Sequence, residues 1–360
     1  MSDARPILAV EGLRKSFQSG RAFGTRANMV AVDDVSFAIA RGETFGLIGE
    51  SGSGKSTIGR LVLRLIEADA GSIRFDGTNI ARMTERDLKA LRKRIQIIFQ
   101  DPFGSLDPKV RVGDAIGEPI RLHRLRDGAA VRARIVELLE LVGLSGEHAD
   151  RYPHSFSGGQ RQRIAIARAL AVEPELIVCD EPVSALDVSV QAQIVNLLAD
   201  LRERVGIAYL FISHDLAVVR HLVDRVGVLY AGRLVEVGPS AAIFEHPAHP
   251  YTRALLAASP RGYGHDAAAR TPLTGESPDP YHLPVGCRFA SRCPDATEPC
   301  RTSQPELAAV DDAGHQAACV RLGQTSPAAS WPAYPESETY ARRLALWQAA
   351  LQRSPRQPIE

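Results

Sequence analysis

Nine consecutive residues, Gly49-Glu50-Ser51-Gly52-Ser53-Gly54-Lys55-Ser56-Thr57, restrict what this chain can fold into more than any other stretch. They follow the apolar run Phe45-Gly46-Leu47-Ile48, which reads as a short buried strand, and lead into a helical run through Leu65. In that context the glycines let successive backbone N–H groups turn inward around a phosphate, and the helix N-terminus adds its dipole. An ordinary glycine-rich turn would need neither the Lys-Ser pair nor the flanking strand and helix. Gly49, Ser51, Gly52, Ser53, Gly54 and Thr57 are therefore expected around a nucleotide, Lys55 on its β- and γ-phosphates, and the Ser56 hydroxyl on Mg²⁺.

Around this loop, strand-like apolar runs alternate with helical patterns from Ile7 to about Val237, the mark of an α/β fold with a largely parallel sheet. A first strand is expected at Ile7-Leu8-Ala9-Val10, a long hairpin loop from Ser19 to Asn28, and strand again from Val30 to Ile39. Ile135, Leu138, Leu139 and Val142 recur at helical spacing between Val131 and Leu144, as do Ile194, Leu197, Leu198 and Leu201. After about Phe244 the chain turns to Pro, Ala, Gly and Ser, and His246-Pro247-Ala248-His249-Pro250 reads as a boundary. Three parts are expected: 1–245, 246–325 and 326–360. The last holds a linker near Ser326 to Pro335 and a helix from Glu336 to Leu351.

With 360 residues, 45% of them hydrophobic, the chain can bury a full core. Its 43 Lys and Arg against 42 Asp and Glu leave a net charge of +1, without the long-range field that draws general nucleic-acid binders, and no nucleic-acid partner is expected. No apolar run approaches the roughly 18 residues needed to cross a bilayer. The start, Met1-Ser2-Asp3-Ala4-Arg5, has no apolar segment of signal-peptide type behind it. A cytosolic protein is expected, with any membrane role carried by a partner.

Leu176-Ile177-Val178-Cys179-Asp180-Glu181 reads as a second buried strand ending in two acids. Such a pair is often only a helix cap, but a phosphate loop needs a carboxylate to anchor its metal, and Asp180 fits, directly or through water. Glu181, one residue on, is placed to polarise an attacking water as general base. Cys179 reads as a packed core thiol.

In Ser155-Phe156-Ser157-Gly158-Gly159-Gln160-Arg161-Gln162-Arg163, Ser157 is a good N-cap, the two glycines permit close backbone approach, and Arg163 to Leu170 continues as a helix, together a second anion site. This run resembles the signature sequence of ABC ATPases. In that family each ATP lies between one subunit's phosphate loop and the other's signature. The resemblance therefore implies a catalytic dimer in which Ser157, Gly158, Gly159 and Gln160 meet the partner's ATP. Further marks follow in order. Gln100 matches the Q-loop glutamine that touches metal and water, Asp187 the D-loop aspartate at the dimer seam, and His214 the switch histidine that holds the γ-phosphate and supports Glu181. Phe17 is the candidate for stacking on adenine, or equally a core phenylalanine by position alone. The implied fold is an ABC-type P-loop ATPase, with a RecA-like mixed-sheet core, an antiparallel β subdomain, a helical signature subdomain and a small cysteine-bearing C-terminal extension.

Gly42-Glu43-Thr44, the run from Gln100 to Pro108, Tyr152-Pro153-His154-Ser155-Phe156 and the run from His249 to Leu256 are similar to the oligopeptide/dipeptide branch of ABC importers. That resemblance implies an ATP-hydrolysing subunit on the cytoplasmic face of the membrane, coupled to two transmembrane permease subunits. It also implies a second ATPase subunit, a paralogue or a copy, and indirectly an extracytoplasmic substrate-binding protein. Glu118-Pro119-Ile120 leans toward the F-type partner of the usual pair. Relatives of the branch move dipeptides, longer peptides, nickel, glutathione or glycosides. A soluble ABC ATPase acting on DNA or the ribosome is the rival from another class. Such proteins generally carry a long coiled-coil insertion or two ATPase units in one chain, and neither is present.

Four of the five cysteines, Cys287, Cys293, Cys300 and Cys319, crowd into the extension with five, six and eighteen residues between them. Those spacings do not match the short pairs of zinc fingers. Gly286-Cys287-Arg288-Phe289-Ala290-Ser291-Arg292-Cys293 resembles the cysteine motif of the branch, some members of which carry a [4Fe–4S] cluster. The cluster stands first, zinc behind it, and reduced packed thiols remain the plain alternative.

Overall fold

The structure, a computed structural model, describes residues 5–19, 27–101, 104–258 and 275–324. Two long strands, β1 (Leu8–Ser19) and β2 (Ala27–Ile39), pair antiparallel and are followed by β3 (Thr44–Ile48), α1 (Lys55–Val62), β4 (Ala70–Phe75) and β5 (Thr78–Asn79). The first sheet runs β2-β1-β4-β5. In β2, Val35, Phe37 and Ile39 alternate inward at period two, while bulges between Leu13 and Ser16 of β1 re-aim the outer half of the hairpin. Both strands reach further than the apolar runs suggested. Phe17 pairs with Met29 and Gln18 with Asn28, so backbone pairing carries polar residues into the sheet and narrows the expected loop. Residues 20–26 of that loop lie outside the described ones, as do the linker and the helix expected from Glu336 to Leu351.

Next come α2 (Glu85–Arg94), β6 (Ile95–Ile98), α3 (Val112–Leu122), α4 (Ala129–Leu141), α5 (Gly158–Leu170) and β7 (Leu176–Asp180). They are followed by α6 (Val188–Val205), β8 (Ala208–Ile212), α7 (Leu216–Leu222), β9 (Arg225–Tyr230) and β10 (Arg233–Pro239). The remainder is α8 (Ser240–Glu245), α9 (Pro250–Ala258), α10 (Glu298–Thr302), β11 (Ala308–Ala309) and β12 (Gln316–Ala317). The second sheet has the order β11-β12-β10-β9-β3-β8-β7-β6 and is parallel from β9 to β6. Every residue of β3, β7 and β8 is buried, which is why these strands read as continuous apolar runs rather than alternating ones.

Register places the strand ends together. Leu47 pairs with Ile212 and Ile212 with Asp180, so the loops after β3, β7 and β8 all leave from one edge of the sheet, the edge where open α/β sheets bind ligands. A helical layer of α3, α4 and α5 packs through Val112, Ile116, Ile120, Ile135, Leu138 and Ile164. The helix expected between Val131 and Leu144 ends at Leu141, with Val142 as its C-cap, because the chain turns at Gly143, whose φ is 76°.

The segment after residue 245 is bonded into this body. β12 extends the second sheet beyond β10, Glu236 opposite Ala317 and Val237 opposite Gln316. Phe289 joins Tyr230 and Tyr251 in the core. Glu236, at 0% exposure, accepts from the backbone N–H of Ala248 at 2.7 Å and His249 at 2.9 Å, and its Oε1 lies 2.7 Å from His315 Nε2. Among the described residues no helix is long and apolar enough to cross a membrane.

Candidate active site

The loop between β3 and α1 closes tightly on neighbouring backbone. A Cβ at Gly49 (φ 152°) would stand 2.1 Å from the Leu229 carbonyl oxygen, and one at Gly54 (φ 106°) 2.3 Å from that of Ala31. Only glycine fits either place. Lys55, 5% exposed, donates through Nζ to the carbonyl oxygens of Gly49 and Glu50, both at 2.8 Å, so the ammonium lies inside the loop. Burial pulls the Lys55 pKa down, while the charges of Glu181, Asp180 and Glu50 support its protonated form.

The Ser56 hydroxyl donates to Asp180 Oδ1 at 2.7 Å, joining the start of α1 to the end of β7. Burial pushes the Asp180 carboxyl up, the Ser56 hydrogen bond pulls it back, and the neighbouring Glu181 charge raises it again, leaving it above the ordinary value. A divalent cation here would relieve that crowding of negative charge.

Glu181 has φ 50°, unusual for a residue with a side chain, and its N–H donates to the Ile212 carbonyl at 2.9 Å. Its carboxylate is held from two sides. Gln100 Nε2 donates to Oε2 at 3.1 Å, and His214 Nδ1 lies 3.1 Å from Oε1. Three residues from three strand ends thus meet at one carboxylate, 81 positions apart in the case of Gln100 and Glu181.

At α5, Ser157 is the N-cap. Its Oγ accepts from the Gln160 N–H, and Gln160 Oε1 accepts from the Ser157 N–H, a reciprocal capping box. A Cβ at Gly159 would meet Val190 Cγ1 at 2.4 Å, so the helix start lies close against α6, whose own N-cap is Asp187. Phe17 is half-buried on β1 with Lys15 Nζ 5.5 Å from its ring centroid. Ser51 and Gly52 are exposed, Ser53 is buried and Thr57 is half-buried in α1.

Sequence reasoning did not find a group of residues from the extension that reaches this loop. Arg292, Ser277 and Tyr251 all bond Glu50, at separations of 242, 227 and 201 positions, and no local pattern announces contacts at that range. Cys287, Cys293, Cys300 and Cys319 line one cavity of about 20 Å³, although among the described residues no group of three or more His, Cys, Asp or Glu stands as a metal-ligand set.

A parallel sheet with a phosphate loop, an acid pair, a glutamine and a histidine at one edge, and a capped glycine helix beside it, defines a P-loop ATPase of the ATP-binding-cassette class. Residues 32–184 match the ABC transporter family, and residues 235–300 match the oligopeptide/dipeptide transporter C-terminal region. A protein of Brucella ovis named for peptide import ATP-binding is 51% identical over 316 residues, covering 88% of this chain and 98% of the relative. YkfD of Bacillus subtilis, named for oligopeptide transport ATP-binding, is 47% identical over 317 residues, 87% of this chain and 95% of its own length. The chain belongs to the ABC transporter family, among the peptide import ATP-binding proteins. A solved dimer of the cassette MJ0796 in a post-hydrolysis state with ADP and phosphate matches with TM-score 0.59 at 28% identity, over 65% of this chain and 98% of that one. CbiO1 of Clostridium perfringens, part of the complex cbiONQ, matches with TM-score 0.58 at 28% identity, over 67% of this chain and 91% of that one.

Proposed function

We propose that this chain is the ATP-hydrolysing subunit of an ABC importer and couples ATP turnover to uptake of dipeptides or oligopeptides. The observation that carries the reading is the carboxylate of Glu181, held between Gln100 and His214 next to the Ser56–Asp180 pair and the buried Lys55. In this reading the glycine loop and Lys55 bind the phosphates, Ser56, Asp180 and Gln100 hold Mg²⁺, and Glu181 takes the proton of the attacking water while His214 steadies it. Ser157, Gly158, Gly159, Gln160 and Asp187 serve the ATP of a second ATPase subunit, and Phe17 stacks on adenine. The ATPase region runs through residue 245, the extension from 246 to 325, and a terminal segment from 326 to 360. Two permease subunits anchor the dimer peripherally at the cytoplasmic face of the membrane, and this subunit takes the F-type place of the pair. Peptide is favoured over nickel, glutathione or glycosides by the extension match and the names of both relatives.

The test is ATP turnover by the purified chain, alone and with the two multi-span permeases encoded beside it. Turnover stimulated by the permeases supports the importer, whereas co-purification with ribosomes or DNA and indifference to permeases would sink it. Lys55→Ala is expected to weaken ATP binding by about 10- to 100-fold, the loss of charged hydrogen bonds to phosphate, as read by titration with a fluorescent ATP analogue.

The four tail cysteines belong to the same reading as a [4Fe–4S] site, with zinc second. In kind and number the four thiols suit such a group and they line one cavity, although as placed they form no ligand set and would have to draw in around it. Burial pushes the Cys287 and Cys319 thiols up and that of Cys293 to about 11, so a bound cation must displace their protons. Such a group would tie four points of the extension together. Protein purified without oxygen is expected to carry about four iron and four sulfide per chain. Cys293→Ser should lose them while keeping ATP binding, and a colourless, metal-free wild type would leave packed thiols instead.

A further inference from the structure

The phosphate loop carries an acid of its own. Glu50 sits second in the loop, where an uncompensated carboxylate would repel a triphosphate. Its compensation comes from the far end of the chain. Arg292 Nη1 donates to Glu50 Oε2 at 2.9 Å and Nη2 to Oε1 at 3.0 Å, a two-pronged pair with the arginine side chain only 6% exposed. Ser277 Oγ donates to Oε2 at 2.9 Å, and the Glu50 N–H donates to Tyr251 Oη at 2.9 Å. Arg292 also donates to Tyr230 Oη at 3.2 Å, and Tyr230, Tyr251 and Phe289 pack ring against ring with centroids 4.5 to 5.5 Å apart. Burial alone would raise the Glu50 carboxyl. The hydrogen bonds of Arg292 and Ser277 and the charges of Arg292 and Lys55 outweigh it and hold the group below the usual carboxylate range.

A second arginine four residues earlier works on the opposite flank. Arg288 donates to the Ala231 carbonyl and to the Asp33 carboxylate. The next N–H along, that of Gly232, donates to the Ser53 carbonyl in the loop at 2.9 Å, and the Gly232 carbonyl accepts from Asp33 N–H at 2.9 Å. The segment from Arg288 to Arg292 thus grips the loop directly at Glu50 and through the β9–β10 turn at Ser53.

We propose that the C-terminal extension is a buckle on the nucleotide loop, and that Arg292, with Tyr251 and Ser277, are positioning residues which neutralise and fix Glu50 so that the loop is preset for ATP. The inference rests on the ATPase reading. A buckle acts before chemistry: it sets the loop N–H groups that meet substrate and transition state alike, so its loss raises KM more than it lowers kcat. An arginine that merely anchored the tail would move stability and leave KM alone.

The experiment is steady-state ATP hydrolysis by the full chain for wild type, Arg292→Ala, Arg292→Lys, Glu50→Gln and the Arg292→Ala/Glu50→Gln double variant. Arg292→Ala is expected to raise the KM for ATP about tenfold with kcat within about twofold. In the Glu50→Gln background, where no carboxylate needs neutralising, the same change should raise KM less than about threefold. Arg292→Lys keeps the charge but loses the fork and should raise KM about threefold, and it decides the matter should the alanine variant not fold. An unchanged KM in either arginine variant, or an equal rise with and without Glu50, overturns the buckle. A wild type without ATP turnover would instead overturn the ATPase reading beneath it.

Discussion

Glu181→Gln is expected to cut ATP turnover by about 10²- to 10⁴-fold, the usual contribution of a positioned general base, while ATP affinity stays near that of wild type. The substitution keeps the shape of the side chain and removes only its charge and its capacity to take a proton. The unusual backbone at φ 50° does not depend on the carboxylate, because the Glu181 N–H bonds the Ile212 carbonyl, and Gln100 Nε2 can still donate to an amide oxygen. With chemistry blocked and binding intact, ATP should persist in the site, and the signature helix capped by Ser157 should hold it from the partner subunit. Rapid-quench phosphate release measures the first effect. Size-exclusion chromatography with ATP and Mg²⁺ measures the second, as a dimer expected to outlast any that the wild type forms. Turnover within about threefold of wild type would remove Glu181 from the role of base and leave it as a support for Gln100 and His214.

Most residues around that carboxylate were legible in the sequence because they follow fully buried strands; Gln100 follows the half-buried β6 and was reached only through its motif. Thr44–Ile48, Leu176–Asp180 and Ala208–Ile212 are buried at every position and apolar except for Thr44 and Asp180, so their ends, and the loop, acids and histidine that follow, can be read off directly. The Ser157 cap was legible for a similar reason, since a capping box is written within four residues. The outer halves of β1 and β2 were not, because Gln18, Asn28 and their neighbours are strand only by virtue of each other. Nor was the attachment of the extension. Nothing local to Arg288 and Arg292 marks a distant partner, and only the fold brings them to Asp33 and Glu50. The cysteines lie between these cases: their spacing resists any short-range metal pattern, yet the chain brings all four to one cavity.

Glu236 is the clearest residue whose importance is invisible locally, and Glu236→Leu is expected to lower the stability of the chain by about 3–5 kcal/mol. In Arg233–Pro239 the glutamate stands between Val235 and Val237, and nothing local names a partner for it. In the structure β12 covers that edge, and Glu236 is wholly buried while bonding the N–H groups of Ala248 and His249 and the His315 ring. Leucine fills the volume but leaves two backbone donors and the Nε2 of His315 without their partner, each costing about 1–3 kcal/mol when buried. Since about 1 kcal/mol shifts Tm by roughly 1–2 °C in a chain of 360 residues, the transition should fall by about 3–10 °C in a thermal melt followed by circular dichroism. Replacing His315 by Leu as well should recover part of the loss, because one of the stranded donors goes with it. Well below the new transition the KM for ATP should match wild type, which separates this contact from the grip of Arg292 on the loop. A melt unchanged within about 2 °C would mean that water or a shifted backbone satisfies these donors, and that the extension is held by its arginines and aromatic rings alone.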